Sequence, residues 1–156
     1  MEQIKSFYAL VPSLFGADKF YKIYVTQSGL YGALLAKQIY DEDSANNQLI
    51  RPAQIFGPLM RMWANRILRK RQEREKYYDG ITPGTPDFTG AGRDNFIIQK
   101  NEIADVQLDE KEKNIWTTGS LISGILHIRL INHKEMKFIL VGKQETEPIL
   151  AAMKSH

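Results

Sequence analysis

Gly124-Ile125-Leu126-His127-Ile128-Arg129-Leu130-Ile131, then Asn132-His133-Lys134, then Glu135-Met136-Lys137-Phe138-Ile139-Leu140-Val141 is the stretch that decides the fold. Leu126, Ile128 and Leu130 recur at every second position, the period of a strand with one buried face. Met136, Phe138 and Leu140 repeat the pattern, and the short connection between the two runs forces antiparallel pairing. A hairpin this apolar needs further strands or a helix to cover its buried face.

The segments upstream supply them. Phe7 to Val11 reads as a short strand ended by Pro12. Lys22-Ile23-Tyr24-Val25-Thr26 alternates polar and apolar β-formers, and Gln27-Ser28-Gly29 gives turn chemistry with Gly29 free to take positive φ. Leu30 to Tyr40 contains good helix formers at Ala33 to Ala36, but Gly32 and the hairpin context favour a strand. Asn95-Phe96-Ile97-Ile98-Gln99 and Ile103 to Lys111 are two more strands around the turn Lys100-Asn101-Glu102. Asn114 to Ser123, with Trp116 and Gly119, is a loop. The alternation predicts a core of Ile23, Val25, Val106, Leu108, Leu126, Ile128, Leu130, Met136, Phe138 and Leu140.

Between the two β blocks the period changes. Asp41 to Asn47 is polar, and a helix follows over Pro52 to Tyr77, with Pro52 suited to its first turn and Pro58 either kinking it or marking its true start. At about 100° per residue, Ile55, Phe56, Leu59, Met60, Met62, Trp63 and Ile67 share one broad apolar face. Residues 78–94 hold Gly80, Pro83, Gly84, Pro86, Gly90 and Gly92, which predicts an exposed, mobile Gly/Pro-rich loop. Thr146-Glu147-Pro148 caps and starts a final short helix, with Ile149, Leu150 and Met153 on one side.

Several of these segments resemble bacterial pleckstrin-homology-like domains. Phe96-Ile97-Ile98-Gln99-Lys100-Asn101-Glu102-Ile103-Ala104-Asp105-Val106-Gln107-Leu108 is similar to that family's strand–turn–strand signature. The 124–141 hairpin followed by a short helix continues the likeness, as does Tyr24-Val25-Thr26-Gln27-Ser28-Gly29-Leu30-Tyr31 upstream. Together they cover roughly residues 20–40 and 95–155. The resemblance implies a bent antiparallel barrel or sandwich closed at one end by the C-terminal helix, and a binding scaffold for lipids, peptides or proteins instead of a catalyst. The helix over 52–77 and its following loop are an insertion relative to that pattern, and no functional residue is carried over from the family.

The expected architecture is therefore one α+β domain over residues 1–156. It joins an antiparallel pleckstrin-homology-like barrel or sandwich to a long inserted amphipathic helix and a short C-terminal one. With 156 residues, 43% hydrophobic and 25% charged, the chain has ordinary globular composition. It has no cysteine, which excludes disulfides, thiol catalysis and thiolate metal sites. The stretch Gly29 to Ala36 is far shorter than the roughly 20 residues a spanning helix needs, and the N-terminus has neither a basic start nor a long apolar core. A soluble, cytoplasmic chain is expected, with peripheral contact at a membrane left open.

Chemistry is hard to find. His127, His133 and His156 show no metal-ligand spacing, and no cofactor is implied. Gly90-Ala91-Gly92 begins like a dinucleotide fingerprint, but Asn95 takes the place of its third glycine and a strand follows instead of a helix. Ser120 and Ser123 lie outside any nucleophile-elbow pattern. The acidic groups Asp41, Glu42, Asp43 and Asp109, Glu110, Glu112 sit in polar segments where carboxylates are solvated.

Charge is distinctive in one place only. From Arg61 to Lys76 there are seven positive residues against Glu73 and Glu75, a net +5, so the rest of a chain of net charge +3 carries −2. Four readings stand: a solvated face, self-association or partner docking, an anionic membrane surface, and nucleic acid. The function expected is a non-catalytic interaction or scaffolding module that binds a protein or an anionic membrane surface, self-association included. A nucleic-acid-binding protein or an uncharacterised enzyme are the alternatives. The candidate surface is Phe56, Met60, Trp63, Arg66, Arg69, Lys70, Arg71 and Arg74.

Overall fold

The computed structural model describes residues 5–37, 40–41, 44–45, 57–110 and 121–155. The start of the expected helix at Pro52 to Phe56, and the loop around Trp116, lie outside the described residues. Seven strands form one antiparallel sheet: β1 (Lys5–Val11), β2 (Lys19–Thr26), β3 (Gly29–Lys37), β4 (Phe96–Gln99), β5 (Ile103–Asp109), β6 (Ile122–Leu130) and β7 (Glu135–Val141). Their order is β4-β3-β2-β1-β7-β6-β5. Helices α1 (Pro58–Asp79), α2 (Pro86–Gly90) and α3 (Thr146–Lys154) accompany them. Among the described residues no helix is long and apolar enough to cross a membrane.

The sheet is curled. Phe96 of β4 stacks on Phe138 of β7 with ring centroids 5.8 Å apart, although three strands separate them in the sheet. Register shifts opposite Phe20/Tyr21, at Ile103/Asp105 and at Ile122/Gly124 leave Leu35, Ala104 and Ser123 as extra residues and bend β3, β5 and β6, as bulges do. Gly32 lets β4 close in: a Cβ there would lie 2.2 Å from the Phe96 ring. Gly29, at φ +151°, lies after the two-residue turn Gln27-Ser28, where a side chain would strike the Ile98 carbonyl.

The predicted core lies on the concave face. Ile23, Val25, Val106, Leu126, Ile128, Leu130, Phe138 and Leu140 are buried in one cluster, with Leu108 and Met136 packed against it. Helix α3 closes this face with Ala152 and Met153 buried and Ile149 and Leu150 partly so. The β6–β7 hairpin turns through Ile131-Asn132-His133, with Leu130 N donating to Lys134 O at 2.8 Å. His133 takes the left-handed conformation at φ 64°, as the last residue of such three-residue loops does.

The convex face carries a second, aromatic cluster: Phe20, Tyr24, Tyr31, Tyr40, Tyr78 and Phe88 with Leu10, Leu35, Ile125 and Ile139. Gln144 ties the two halves of the sheet. Its side-chain amide accepts from Tyr8 N at 2.9 Å and donates to Tyr8 O at 2.7 Å, completing the β1–β7 seam as a strand residue would.

One expectation is corrected here. Residues 78–94 do not form a free loop: α1 continues to Asp79, α2 occupies 86–90, and Phe88 is fully buried against Tyr24, Tyr31 and Tyr78. Asn95 anchors the segment, accepting from Leu34 N at 3.0 Å and donating to Phe88 O at 3.0 Å. Glycine and proline frequency signalled turns there, but one apolar aromatic was enough to fix them. The side that α1 turns to the sheet, left open by the sequence, is not the whole of the broad apolar face read from periodicity.

Candidate functional site

Helix α1 follows Gly57 and starts at Pro58, whose missing N–H costs nothing in a first turn. The side it turns to the sheet is Ala64, Ile67, Arg71, Glu75 and Tyr78, spaced by three and four. The reason is the surface it meets. The strands present Tyr8, Lys22 and Tyr24 there, and these polar and aromatic groups select charged partners over Leu59, Met62 and Trp63.

Lys22 is the centre of the attachment. Its ammonium, on a side chain 11% exposed, donates to Asp79 Oδ1 at 2.8 Å and Glu75 Oε1 at 3.2 Å. Tyr24 OH donates to Asp79 Oδ1 at 2.7 Å, and Tyr8 OH donates to Glu75 Oε1. Arg71 Nη1 reaches Glu75 Oε2 at 2.7 Å, while its guanidinium lies 5.5 Å from the Tyr8 ring centre and 5.3 Å from that of Phe20. Arg71 Nε has no hydrogen-bond partner among the described residues, and the two rings supply its attraction instead.

Burial works against the charge on Lys22, but hydrogen bonds to Asp79 and Glu75 outweigh it and raise its pKa. Burial likewise opposes ionisation of Asp79, and the bonds from Lys22 and Tyr24 prevail, holding its carboxyl below the usual range. Burial first, then hydrogen bonds to the carboxylates, pushes Tyr8 and Tyr24 up. Lys22, Asp79, Tyr8 and Tyr24 are thus each driven further into their ordinary state at neutral pH. That is the signature of a clamp; an acid–base pair would have its pKa values pulled toward neutrality.

The expected surface residues divide. Phe56 lies outside the described residues. Met60 is half-buried, packed with Ile67 and Leu68 on Ala45 and Ala64. Arg71 belongs to the clamp. Trp63 is 48% exposed, beside Leu59 at 69% and Met62 at 67%. Arg66, Arg69, Lys70 and Arg74 are exposed. Leu59, Met62, Trp63, Arg66, Lys70 and Tyr77 make one outward stripe, about 120° around the helix from the sheet-facing side.

Two features escaped the sequence. Leu14 and Phe15, each 95% exposed, form the tip of the β1–β2 loop, which Ser13 braces by donating from N to Asp18 Oδ1 at 2.9 Å. A cleft of about 840 Å³ runs between the second half of α1, the end of β3 and residues 91–95. Loop tips and clefts are made by tertiary placement, and no periodicity announces them. The chain matches no protein-family model, no curated protein and no solved structure.

Proposed function

We propose that this chain is a non-catalytic interaction module of pleckstrin-homology-like architecture that docks on an anionic membrane surface through the outward stripe of α1. The observation that carries this reading is the exposure of Leu59, Met62 and Trp63 on a helix whose following turns present Arg66, Arg69 and Lys70. An interfacial helix needs that pairing of apolar and basic residues. Leu14 and Phe15 add a second exposed apolar element. The strand order and the apolar helix α3 across the concave face are consistent with the fold reading.

A protein partner is the second reading, because exposed Trp and Met flanked by Arg match the composition of interface cores. Self-association along the whole stripe is disfavoured. Antiparallel pairing of two copies of α1 would set Arg66 and Arg69 against Lys70 and its neighbours, like charge on like charge.

The test is sedimentation with phosphatidylcholine vesicles, with and without about 30% phosphatidylserine. Binding to the anionic vesicles alone, reduced in Arg66→Gln/Arg69→Gln/Lys70→Gln, is expected. Absence of binding to either vesicle overturns the membrane reading; a concentration-dependent rise in mass by light scattering would then place the stripe in a protein contact.

A further inference from the structure

The cleft beside the second half of α1 borders the outward stripe, shares Lys70 and Tyr77 with it, and has an unbalanced polar lining. Lys37, Lys70, Arg71, Arg74 and Arg93 line it against two carboxylates, Glu73 and Asp94. Asp94 is already occupied: Lys19 Nζ lies 3.0 Å away and Lys37 Nζ 3.6 Å. The hydrogen bond from Lys19 holds its carboxyl below the usual range. Arg71 is committed to Glu75. Lys70, Arg74 and Arg93 are exposed and have no carboxylate partner among the described residues. Among the described residues Arg74 donates only to Leu35 O, at 3.3 Å.

These three cations come from two elements, α1 and the turn before β4, that the fold brings to one concavity. Like charges gathered in a cleft repel one another and raise the local concentration of anions. The walls beside them are partly apolar, with Leu34, Ile67 and Tyr77 among the lining residues. The volume falls within the roughly 300–1,000 Å³ of small-molecule sites. A carboxylate offers one charge and two oxygens; a phosphate offers up to two charges and oxygens in a tetrahedral arrangement that cations on separate walls can share.

We propose that this cleft binds a phosphate-bearing anion, gripped by Arg74 and Arg93 from opposite walls, with Lys70 adding charge and Tyr77 covering the ester group. This goes beyond the docking of the outward stripe, with which the cleft shares Lys70 and Tyr77, and it rests on Arg74 and Arg93, which the stripe does not contain. Glu73 is the lining carboxylate that opposes the anion, so its neutralisation should tighten binding.

Calorimetric titration of the full chain with inorganic pyrophosphate at low salt tests this. Saturable one-to-one binding is expected, weakened at least about tenfold by Arg74→Gln/Arg93→Gln, since charge-assisted bonds are lost on both walls. It should be strengthened by Glu73→Gln and unmoved by Lys134→Gln in the distant β6–β7 turn. Should the double variant lose its cooperative thermal transition, Arg93→Gln alone, a change in an exposed turn, carries the same test. Vesicles containing phosphatidic acid form a second arm. Binding there that depends on Arg74 and Arg93 identifies a lipid headgroup, and pyrophosphate binding without it identifies a soluble ester. No saturable binding in either arm, or binding as strong in the arginine variants as in the parent, overturns the proposal.

Discussion

Helices α3 and α1 cover opposite faces of the same sheet by opposite chemistry. Helix α3 brings Ala152, Met153, Ile149 and Leu150 onto an aliphatic concavity. Helix α1 brings Arg71, Glu75 and Asp79 onto Tyr8, Lys22 and Tyr24, and buries fully only Ala64 and Tyr78. Hydrophobic burial is non-directional and tolerant, so it suits the face that gathers the aliphatic core. A charged clamp is directional and costs desolvation, so it fixes where a helix lies without adding much stability. Because charged groups hold the second half of α1, Leu59, Met62 and Trp63 are left facing outward, while Met60, Ile67 and Leu68 pack against Ala45 and Ala64.

The comparison breaks most severely at its aliphatic side. Ile128 is fully buried on the concave face, and Ile128→Asp would place an unpaired carboxylate there. A loss of more than about 4 kcal/mol, enough to unfold most domains of this size, is expected. Ile128→Leu keeps the volume and should cost less than about 1.5 kcal/mol. Chemical denaturation of both variants measures the contrast. A cooperative transition in the Asp variant close to the parent's would mean that the concave cluster is not what holds the sheet.

That cluster was also the most legible part of the sequence. Alternation in 124–141 and 22–26 places Ile23, Leu126, Ile128, Phe138 and Leu140 on one face because strand side chains obey a period of two whatever their neighbours are. The convex side is harder for a physical reason. Lys22 looks like a solvent-facing residue between Tyr21 and Ile23, and Arg71 and Glu75 look like members of a solvated charge run. Only the approach of α1 brings them together, across 53 residues between Lys22 and Glu75. Hydrophobicity placed Leu59, Met62 and Trp63 on one apolar face of α1 without settling what covers it, and the clamp turns them outward. Phe88 was hidden for a related reason: its neighbours are the residues of a turn, and its burial depends on aromatic partners from three other elements.

Lys22→Met tests the charged side. The variant keeps the aliphatic stem but removes the cation between Glu75 and Asp79, leaving both carboxylates beside two phenols. A cost of about 2–3 kcal/mol is expected, smaller than at Ile128 because the carboxylates can turn to water. The pH dependence follows from the directions of the shifts. Asp79 has a lowered pKa, so its contribution is complete above the ordinary value of about 3.9 and is lost as pH falls through its folded value. Lys22 has a raised pKa, so its contribution is complete below about 10.4 and is lost as pH rises through its folded value. The stability gap between parent and Lys22→Met should therefore be widest from pH 5 to 9, within about a unit at either end, and shrink in acid and in strong alkali. A gap that does not vary with pH would mean the clamp contributes by packing alone.

Gln144 lies where the two halves of the sheet meet, and its replacement sharpens the comparison by touching neither helix's chemistry. Gln144→Ala leaves the Tyr8 backbone N–H and C=O without their partner at the β1–β7 seam. About 1–2 kcal/mol is expected, between the clamp and the outer surface in size. Amide hydrogen exchange at Tyr8 should accelerate before that of Ile23 or Phe138, since the seam opens locally while the concave cluster stays closed. Equal acceleration at all three would show that the two halves unfold as one unit.

The smallest effect on stability is expected on the outward side of α1, and it is the most informative about function. Trp63 is about half exposed and is absent from all three buried clusters. Replacing a buried Trp by Ala costs about 3–5 kcal/mol, whereas a surface change away from packed features stays near 0.5 kcal/mol. Trp63→Ala should therefore melt within a degree or two of the parent, since a domain of this size shifts by about 2–4 °C per kcal/mol. Its indole fluorescence carries the complementary reading. In the parent, emission from Trp63 should shift to the blue when anionic vesicles are added, because the ring leaves water for the interface. In Trp63→Ala the same vesicles should be bound more weakly, while the fold and the phosphate site in the cleft are unaffected. A Trp63→Ala protein several kcal/mol less stable than the parent would place the indole in the packed interior. The outward stripe would then be reduced to its charges, and the division between a helix held by ions and a helix held by oil would fail where it is most exposed.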